Sequence, residues 1–372
     1  MNKTEVTFKI AMFLPSLEVG GAERVFVSLA NAFVSKGYQV DVVLVSARGP
    51  LLKHLKDEVD IVDFKKTRAI SCSNSLRQYL NDSQPQVLFA SLTHTNIIAS
   101  LAVYFSKCKP YLMVREASLP ELTLESGGAF RNYLMRKLVR SAYAKADSVI
   151  CVSSKVREEY LIALSPSDRS KYVVVFNPID PERVESSQQD SLVLEDIKTP
   201  FIVAVGRMVP EKGFDSLLKA FSRVRLSTDI GLCLIGDGPE LNSLKKIAVD
   251  LKISDHVTFT GYLDQPNRLV RKAAVFVLSS SSEGLPNSLI EALSLHVPSV
   301  ATDISSVAQD IISDSGIGVS VAPNSPEELA KGILTVLDNA DCWKLNPDWQ
   351  ERFAIDEIVG TYTRLMGAPL VD

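Results

Sequence analysis

Two cations open the stretch VGRMVPEKGFDSLLKAF. Arg207 directly follows the apolar run Phe201–Gly206, and Lys212 comes five positions later, just before a helical pattern. Cations at a strand end beside a helix N-terminus suit a diphosphate: guanidinium can grip two oxygens, while ammonium acts as a point charge. Lys and Arg are more often plain solvated charges, and the position after a strand is what favours the first reading. A second group is SSSSEGLPNSLIEAL, where four serines end the run Ala273–Leu278 and a helix begins near Pro286–Asn287, because proline is favoured at the first helical position. The amides at Gly284–Ser288, with Leu285, Pro286 and Asn287 between them, would face a phosphate. Glu283 and Glu291 are eight apart, one in the loop and one in the second helical turn. That separation does not make one paired acid–base unit. It suits two acceptors for hydroxyls at separate points of an extended polyol, or simply a capping acid and a helix-face glutamate.

Three weaker signals share the same kind of position. Gly20-Gly21 precedes a helix, where paired glycines let backbone amides approach an anion or merely form a flexible turn. Gly236 opens GDGPE, half of a dinucleotide fingerprint whose third glycine is missing, so a tight turn and a nucleobase wall are both open. His94, in FASLTHTN, ends another apolar run and is a candidate catalytic imidazole, although a solitary histidine is more often structural.

The elements that must position these residues alternate throughout. Apolar runs at Lys9–Pro15, Gln39–Ser46, Gln86–Ala90, Tyr111–Val114, Val149–Val152 and Val173–Phe176 read as buried strands. Helical patterns separate them, as in Gly20–Gly37, where Val25, Leu29 and Phe33 share one face. The rhythm breaks at Asn177–Pro200, which holds three prolines and the polar stretch ESSQQD. It then restarts with PFIVAVG, GLCLIG, HVTFTG, AAVFVLS and VPSVAT, each followed by a helical pattern. This is an α/β chain with two doubly wound, mostly parallel sheets. Such sheets bind ligands beyond the carboxyl ends of their strands, and the expected site is a cleft between the two halves. The expected division is 1–180, 181–350 and a last helix within 351–372.

Composition narrows the function classes. The 372 residues carry 46% hydrophobic and 23% charged residues, which is ordinary globular sequence rather than disorder or coiled coil. A net charge of −4 excludes a chain that binds nucleic acid through overall basicity. The charge is uneven: residues 1–180 carry +6 and the remainder −10, so the first half is the one that would meet an anionic surface or acceptor. Cys72, Cys108, Cys151, Cys233 and Cys342 have neither CxxC nor metal-ligand spacing, and read as free thiols of a reducing compartment. No stretch has the signal-peptide pattern and no apolar run reaches 18 residues, so the expected location is cytoplasmic or peripheral on the inner face of the cytoplasmic membrane.

Taken together, GGAER, SVICVSS, VFNPID, GRMVPEKG, GDGPE, TGYL and EGLPNSLIEA resemble the family-4 retaining glycosyltransferases, nucleotide-sugar enzymes of the GT-B fold. The resemblance implies two Rossmann-like domains, the first binding the acceptor and the second the donor, with the last helix crossing back. It also implies that Arg207 and Lys212 bind the donor diphosphate, Glu291 the ribose and Glu283 the sugar hydroxyls. Gly284, Leu285, Pro286 and Asn287 would touch sugar and phosphate, and Gly20 and Gly21 would lie near phosphates and acceptor. Gly236, Tyr262 and Leu263 would flank the base. Two departures stand out. Many members carry a histidine after the strand that here reads YLMVREAS, where Arg115 and Glu116 stand instead. The segment TDISSVAQDI lacks the family's glycine and proline there, though Asp310 keeps an acid.

The implied reaction moves a sugar, with retention, from a nucleoside diphosphate sugar to a hydroxyl. The donor would be a UDP-hexose or UDP-N-acetylhexosamine. The acceptor would be lipid-linked or saccharide, in surface polysaccharide, lipopolysaccharide or glycolipid synthesis. No Asp-x-Asp pair occurs, so neither metal nor other cofactor is expected, with Arg207 and Lys212 supplying the charge. The stretch Arg131–Lys145 carries five cations beside Tyr133, Leu134, Leu138 and Ala142. Either it docks on an anionic membrane, or its apolar residues face the core and its cations are merely solvated. A nucleotide-sugar epimerase and a non-catalytic nucleotide-sugar binder are the alternatives.

Overall fold

A computed structural model describes residues 8–18, 20–124, 127–179, 197, 199–303 and 307–369. Most of the Pro-rich stretch Asn177–Pro200 therefore lies outside the described residues. The chain divides into two compact units, Met1–Pro178 with Phe353–Asp372, and Ile179–Arg352.

The first unit holds strands β1 (Lys9–Leu14), β2 (Gln39–Leu44), β3 (Asp60–Asp63), β4 (Val87–Ser91), β5 (Tyr111–Glu116), β6 (Ser148–Cys151) and β7 (Tyr172–Val174). All pair in parallel, in the order β3-β2-β1-β4-β5-β6-β7. Helices α1 (Gly21–Ser35), α2 (Ser73–Ser83), α3 (Thr93–Phe105), α4 (Pro120–Leu124), α5 (Ala129–Ala144) and α6 (Ser154–Leu164) connect them. The strands are buried on both faces, so they read as continuous apolar runs. The exceptions are the edge strands: β7 is only partly buried, and β3, whose DIVD is more exposed, has charged ends that hide it from a search for apolar runs.

The second unit repeats the plan. Strands β8 (Phe201–Val205), β9 (Gly231–Ile235), β10 (Val257–Gly261), β11 (Val275–Leu278), β12 (Ser299–Thr302) and β13 (Gly318–Val321) run parallel in the order β10-β9-β8-β11-β12-β13. Its helices are α7 (Phe214–Val224), α8 (Leu241–Asp250), α9 (Asn267–Val270), α10 (Asn287–Ser294), α11 (Val307–Ser315) and α12 (Pro326–Asp338). In each sheet the winding direction reverses once, between β1 and β4 and between β8 and β11. Ligands of such sheets bind at that reversal, beyond the carboxyl ends of the strands.

The last helix, α13 (Ile355–Met366), belongs to the first unit. Val359 and Tyr362 are fully buried in that unit's core, and the Tyr362 ring lies 5.1 Å from Phe89 and 6.3 Å from Phe33. The residues ahead of it, Pro347–Phe353, form 3₁₀ turns rather than the first turns of one continuous helix.

Candidate active site

In the second unit the loops after β8 and β11 are tied together. Lys212 Nζ lies 2.6 Å from Glu283 Oε1, and Ser280 Oγ donates to the same oxygen at 2.7 Å. The backbones are cross-linked as well. Ser279 Oγ donates to Lys212 O at 2.8 Å and the Ser281 amide to Glu211 O at 2.8 Å. Contact this close requires glycine at 213: its φ is +63°, and a Cβ there would stand 2.1 Å from Ser279 O. Thr302, at the end of β12, holds the serine loop by donating to Ser280 O at 2.6 Å.

Arg207 differs from Lys212. Its side chain is 71% exposed, with Glu211 3.6 Å away, so it is available to a ligand. The GDGPE loop backs onto this segment. Met208 N donates to Asp237 O at 2.8 Å, and a Cβ on Gly236 (φ +142°) would meet Gly206 O at 1.9 Å. The tight-turn reading of GDGPE is thus accounted for by packing alone. Gly236 also bridges to Gly261, next to the exposed Tyr262 and half-buried Leu263.

Helix α10 begins at Asn287, with Pro286 as the residue before it rather than as its first residue, and no side chain caps it. Gly284, Leu285 and Pro286 are buried. The Asn287 amide donates to Leu285 O at 3.0 Å, so that member of the expected phosphate-facing row is turned inward. Glu291 is half-buried in the second turn. The structure therefore gathers Arg207, Lys212, Glu283 and the start of α10 at the β8/β11 reversal. The serine run and Thr302, which hold that arrangement, were visible in sequence only as a polar strand ending. Of the TDISSVAQDI segment, residues 304–306 lie outside the described residues, and Asp310 is exposed in the first turn of α11.

In the first unit, Gly20 precedes α1 in extended backbone (φ −155°), and Gly21 is the first helical residue, again without a side-chain cap. His94 sits in the first turn of α3 rather than on the strand end. It lines a pocket of about 250 Å³ together with Thr93 and Glu116. Desolvation lowers its imidazole below the usual histidine range, which favours the neutral form.

Arg115 and Glu116 end β5 and, as neighbours on a strand, point to opposite faces. Both are buried. Glu116 accepts from Tyr143, from Thr93 Oγ1 at 3.1 Å and from Asn96 Nδ2 at 3.1 Å, and also bonds Tyr160. Burial still pushes its carboxyl up. Arg115 donates to Asn177 and, at 3.3 Å, to Ser91 Oγ, bonds Tyr362, and lies over the Phe26 ring. Sequence reading marked the pair only as a departure; what it missed are the buried polar partners, of which Asn96, on the packed face of α3, is the detectable one.

Of the apolar residues singled out on helix α5, Ala142 faces the core. Leu134 and Leu138 do not face the core: they are 48% and 46% exposed, and Phe130 is 81% exposed. Only Val139, Ala142 and Tyr143 of this helix are buried. Lys137 caps the Tyr133 ring at 4.7 Å, and Lys145 caps Tyr104 of α3 at 3.8 Å. Exposed Leu101, Tyr104 and Phe105 extend the apolar surface onto α3. Among the described residues no helix is long and apolar enough to cross a membrane, and no group of three or more His, Cys, Asp or Glu could hold a metal ion.

Residues 19–183 match the family model described as Glycosyltransferase Family 4, and residues 188–353 match Glycosyl transferases group 1. The chain is a glycosyltransferase of the GT-B fold. Its relatives agree. It is 26% identical, over 89% of its length and 90% of the relative's, to the N-acetylgalactosamine-N,N'-diacetylbacillosaminyl-diphospho-undecaprenol 4-alpha-N-acetylgalactosaminyltransferase of Campylobacter jejuni. It is 27% identical, over 94% and 96%, to the lipopolysaccharide core biosynthesis glycosyltransferase LpsE of Rhizobium meliloti. The fold of this glycosyltransferase is shared with Anabaena Alr3699/HepE, solved in complex with UDP, at a TM-score of 0.79 and 17% identity, covering 97% of this chain and all of that one.

Proposed function

We propose that this glycosyltransferase moves a sugar, with retention, from a nucleoside diphosphate sugar to a hydroxyl of a lipid-linked or saccharide acceptor in surface-glycan assembly. The observation that carries the donor assignment is the Lys212–Glu283 pair, 2.6 Å apart at the β8/β11 reversal. Lys212 and Arg207 offer positive charge where a leaving diphosphate gains negative charge, which is preorganised electrostatic stabilisation. Glu283, already fixed by Lys212 and Ser280, is placed to accept from sugar hydroxyls, and Glu291 from ribose hydroxyls. Gly20, Gly21 and His94 belong to the acceptor side. We take the donor to be a UDP-hexose or UDP-N-acetylhexosamine, with Gly236, Tyr262 and Leu263 beside the base. The Campylobacter relative is named for N-acetylgalactosamine on a diphospho-undecaprenol, and LpsE for lipopolysaccharide core synthesis; both support this choice of sugar and acceptor. The test is a thermal-shift screen of nucleotides and nucleotide sugars, since a ligand of the native state raises Tm by mass action. A UDP-sugar should give the largest rise, and no response to any nucleotide sugar would overturn the reading.

The same proposal places the enzyme peripherally on an anionic membrane through α5. The support is that Phe130, Leu134 and Leu138 are exposed among Arg131, Lys137, Arg140 and Lys145. Each such cation is worth roughly 1 kcal/mol near an anionic surface. Flotation with anionic liposomes should carry the protein at low salt and release it at high salt. Equal recovery with purely zwitterionic liposomes would sink the idea.

A further inference from the structure

The pocket beyond β4 and β5 is not explained by the donor groups. Leu92, Ile97, Ala117 and Met135 form its apolar walls, and Glu116 lines it with Thr93, His94, Ser118 and Thr123. Glu116 is saturated by its own protein partners. The side chains of the exposed His94 and half-buried Ser118, in contrast, make no hydrogen bond to another described residue. Two polar groups left over at an apolar pocket are the usual means of fixing a ligand's orientation. The backbone is strained at the same point: Leu92, which precedes α3, has φ +77°. A leucine there persists only where its surroundings enforce it. Thr95 does so, donating to Ser91 O and, at 2.8 Å, to Leu92 O.

Charge and size limit the occupant. No Lys or Arg lines the pocket, so a diphosphate or a sugar carboxylate would enter without a counter-ion and close to Glu116. Its volume of about 250 Å³ lies below the roughly 300–1,000 Å³ of sites for drug-sized ligands, which suits one ring rather than an oligosaccharide. We propose that this pocket is the subsite for one uncharged sugar ring of the acceptor. Ser118 and His94 read its hydroxyl or amide groups, and the apolar walls take its carbon face or an acetamido methyl. The proposal rests on the glycosyltransferase reading above and adds where the acceptor ring is held.

Saturation-transfer NMR on the full chain tests it, with methyl N-acetyl-α-galactosaminide as neutral probe and methyl α-galacturonide as anionic probe. Wild type should transfer saturation to the neutral probe and much less to the anionic one. Ala117→Trp, which fills the pocket, should abolish the signal. Ser118→Ala, which cannot disturb the fold by size, should weaken binding about fivefold, as for one lost hydrogen bond. No transfer to the neutral probe in wild type, equal transfer to both probes, or an unchanged signal in Ala117→Trp would each overturn the proposal. So would loss of the UDP-induced rise in Tm in a folded Ala117→Trp protein, because the pocket would then belong to the donor. A wild type that binds the neutral ring through this pocket but responds to no nucleotide sugar would fail the donor assignment and still support the subsite.

Discussion

The two sheets wind in the same way, and strand ends at or beside their reversals use charge in opposite ways. At β8/β11 the charged side chains meet at the surface: Lys212 and Glu283 are 25% and 14% exposed, and Arg207 is 71% exposed. At β4/β5 the charged side chains, Arg115 and Glu116, are buried and consumed by internal partners. One fold therefore produces one set of strand ends that presents ions to a ligand and another that spends ions on its own scaffold and leaves neutral groups to face outward. Position at the end of a strand alone does not distinguish the two; the partners of each charge do.

The sharpest way to break this contrast is to remove one cation from each side. Lys212→Ala should lower kcat/KM for transfer by about 10²–10³, the scale of losing one preorganised charge contact in a transition state. Its Tm should change little, because a partly exposed pair contributes only about 0–1 kcal/mol. Steady-state transfer and a melting curve decide it, and near-normal turnover would remove Lys212 from the donor site.

Arg115→Leu should show the reverse. It removes the guanidinium from Asn177, Ser91 and Tyr362 and leaves Glu116 in place. Removing one member of a buried charged network costs roughly 3–5 kcal/mol. Denaturant unfolding should report that loss, while transfer per folded molecule stays near wild type. An activity loss without a stability loss would mean that Arg115 acts on substrate, and the contrast between the two sheets would fail.

The comparison also explains what was legible in the sequence. Among the described residues thirteen strands form the two sheets, and those read from the sequence were the ones with an apolar run, including the partly buried edge strands β7 and β10. The edge strands β3, DIVD, and β13, GVSV, were missed because aspartate, glycine and serine interrupt the apolar run. Arg207, Lys212 and Glu283 were legible because surface charge beside glycine punctuates a strand end. The serine and threonine cross-links were not, since a hydroxyl that holds a loop looks like any loop hydroxyl. Leu134 and Leu138 were ambiguous because helical spacing reports a face and not what covers it. Arg115 and Glu116 were noticed only as a departure, since burial of charge depends on partners as distant in sequence as Asn96, Asn177 and Tyr362.

The smallest expected effect concerns pH and sharpens the buried side of the comparison. Burial raises the Glu116 carboxyl above its ordinary value of 4.5, so folding favours its protonated form. That contribution is fully present below about pH 4.5 and is lost as pH rises through the raised folded value. His94 works in the other direction: its folded value is depressed below 6.5, so its contribution is lost as pH falls. Comparing wild type with Glu116→Gln, both retaining His94, isolates the carboxyl. Gln keeps an acceptor for Tyr143 but cannot ionise, so its Tm should fall less between pH 5 and pH 8 than that of wild type. Parallel Tm–pH curves would show that the hydrogen bonds from Tyr143, Thr93 and Asn96 offset the burial of the charge in full, and that the scaffold accommodates Glu116 as an ion at no cost.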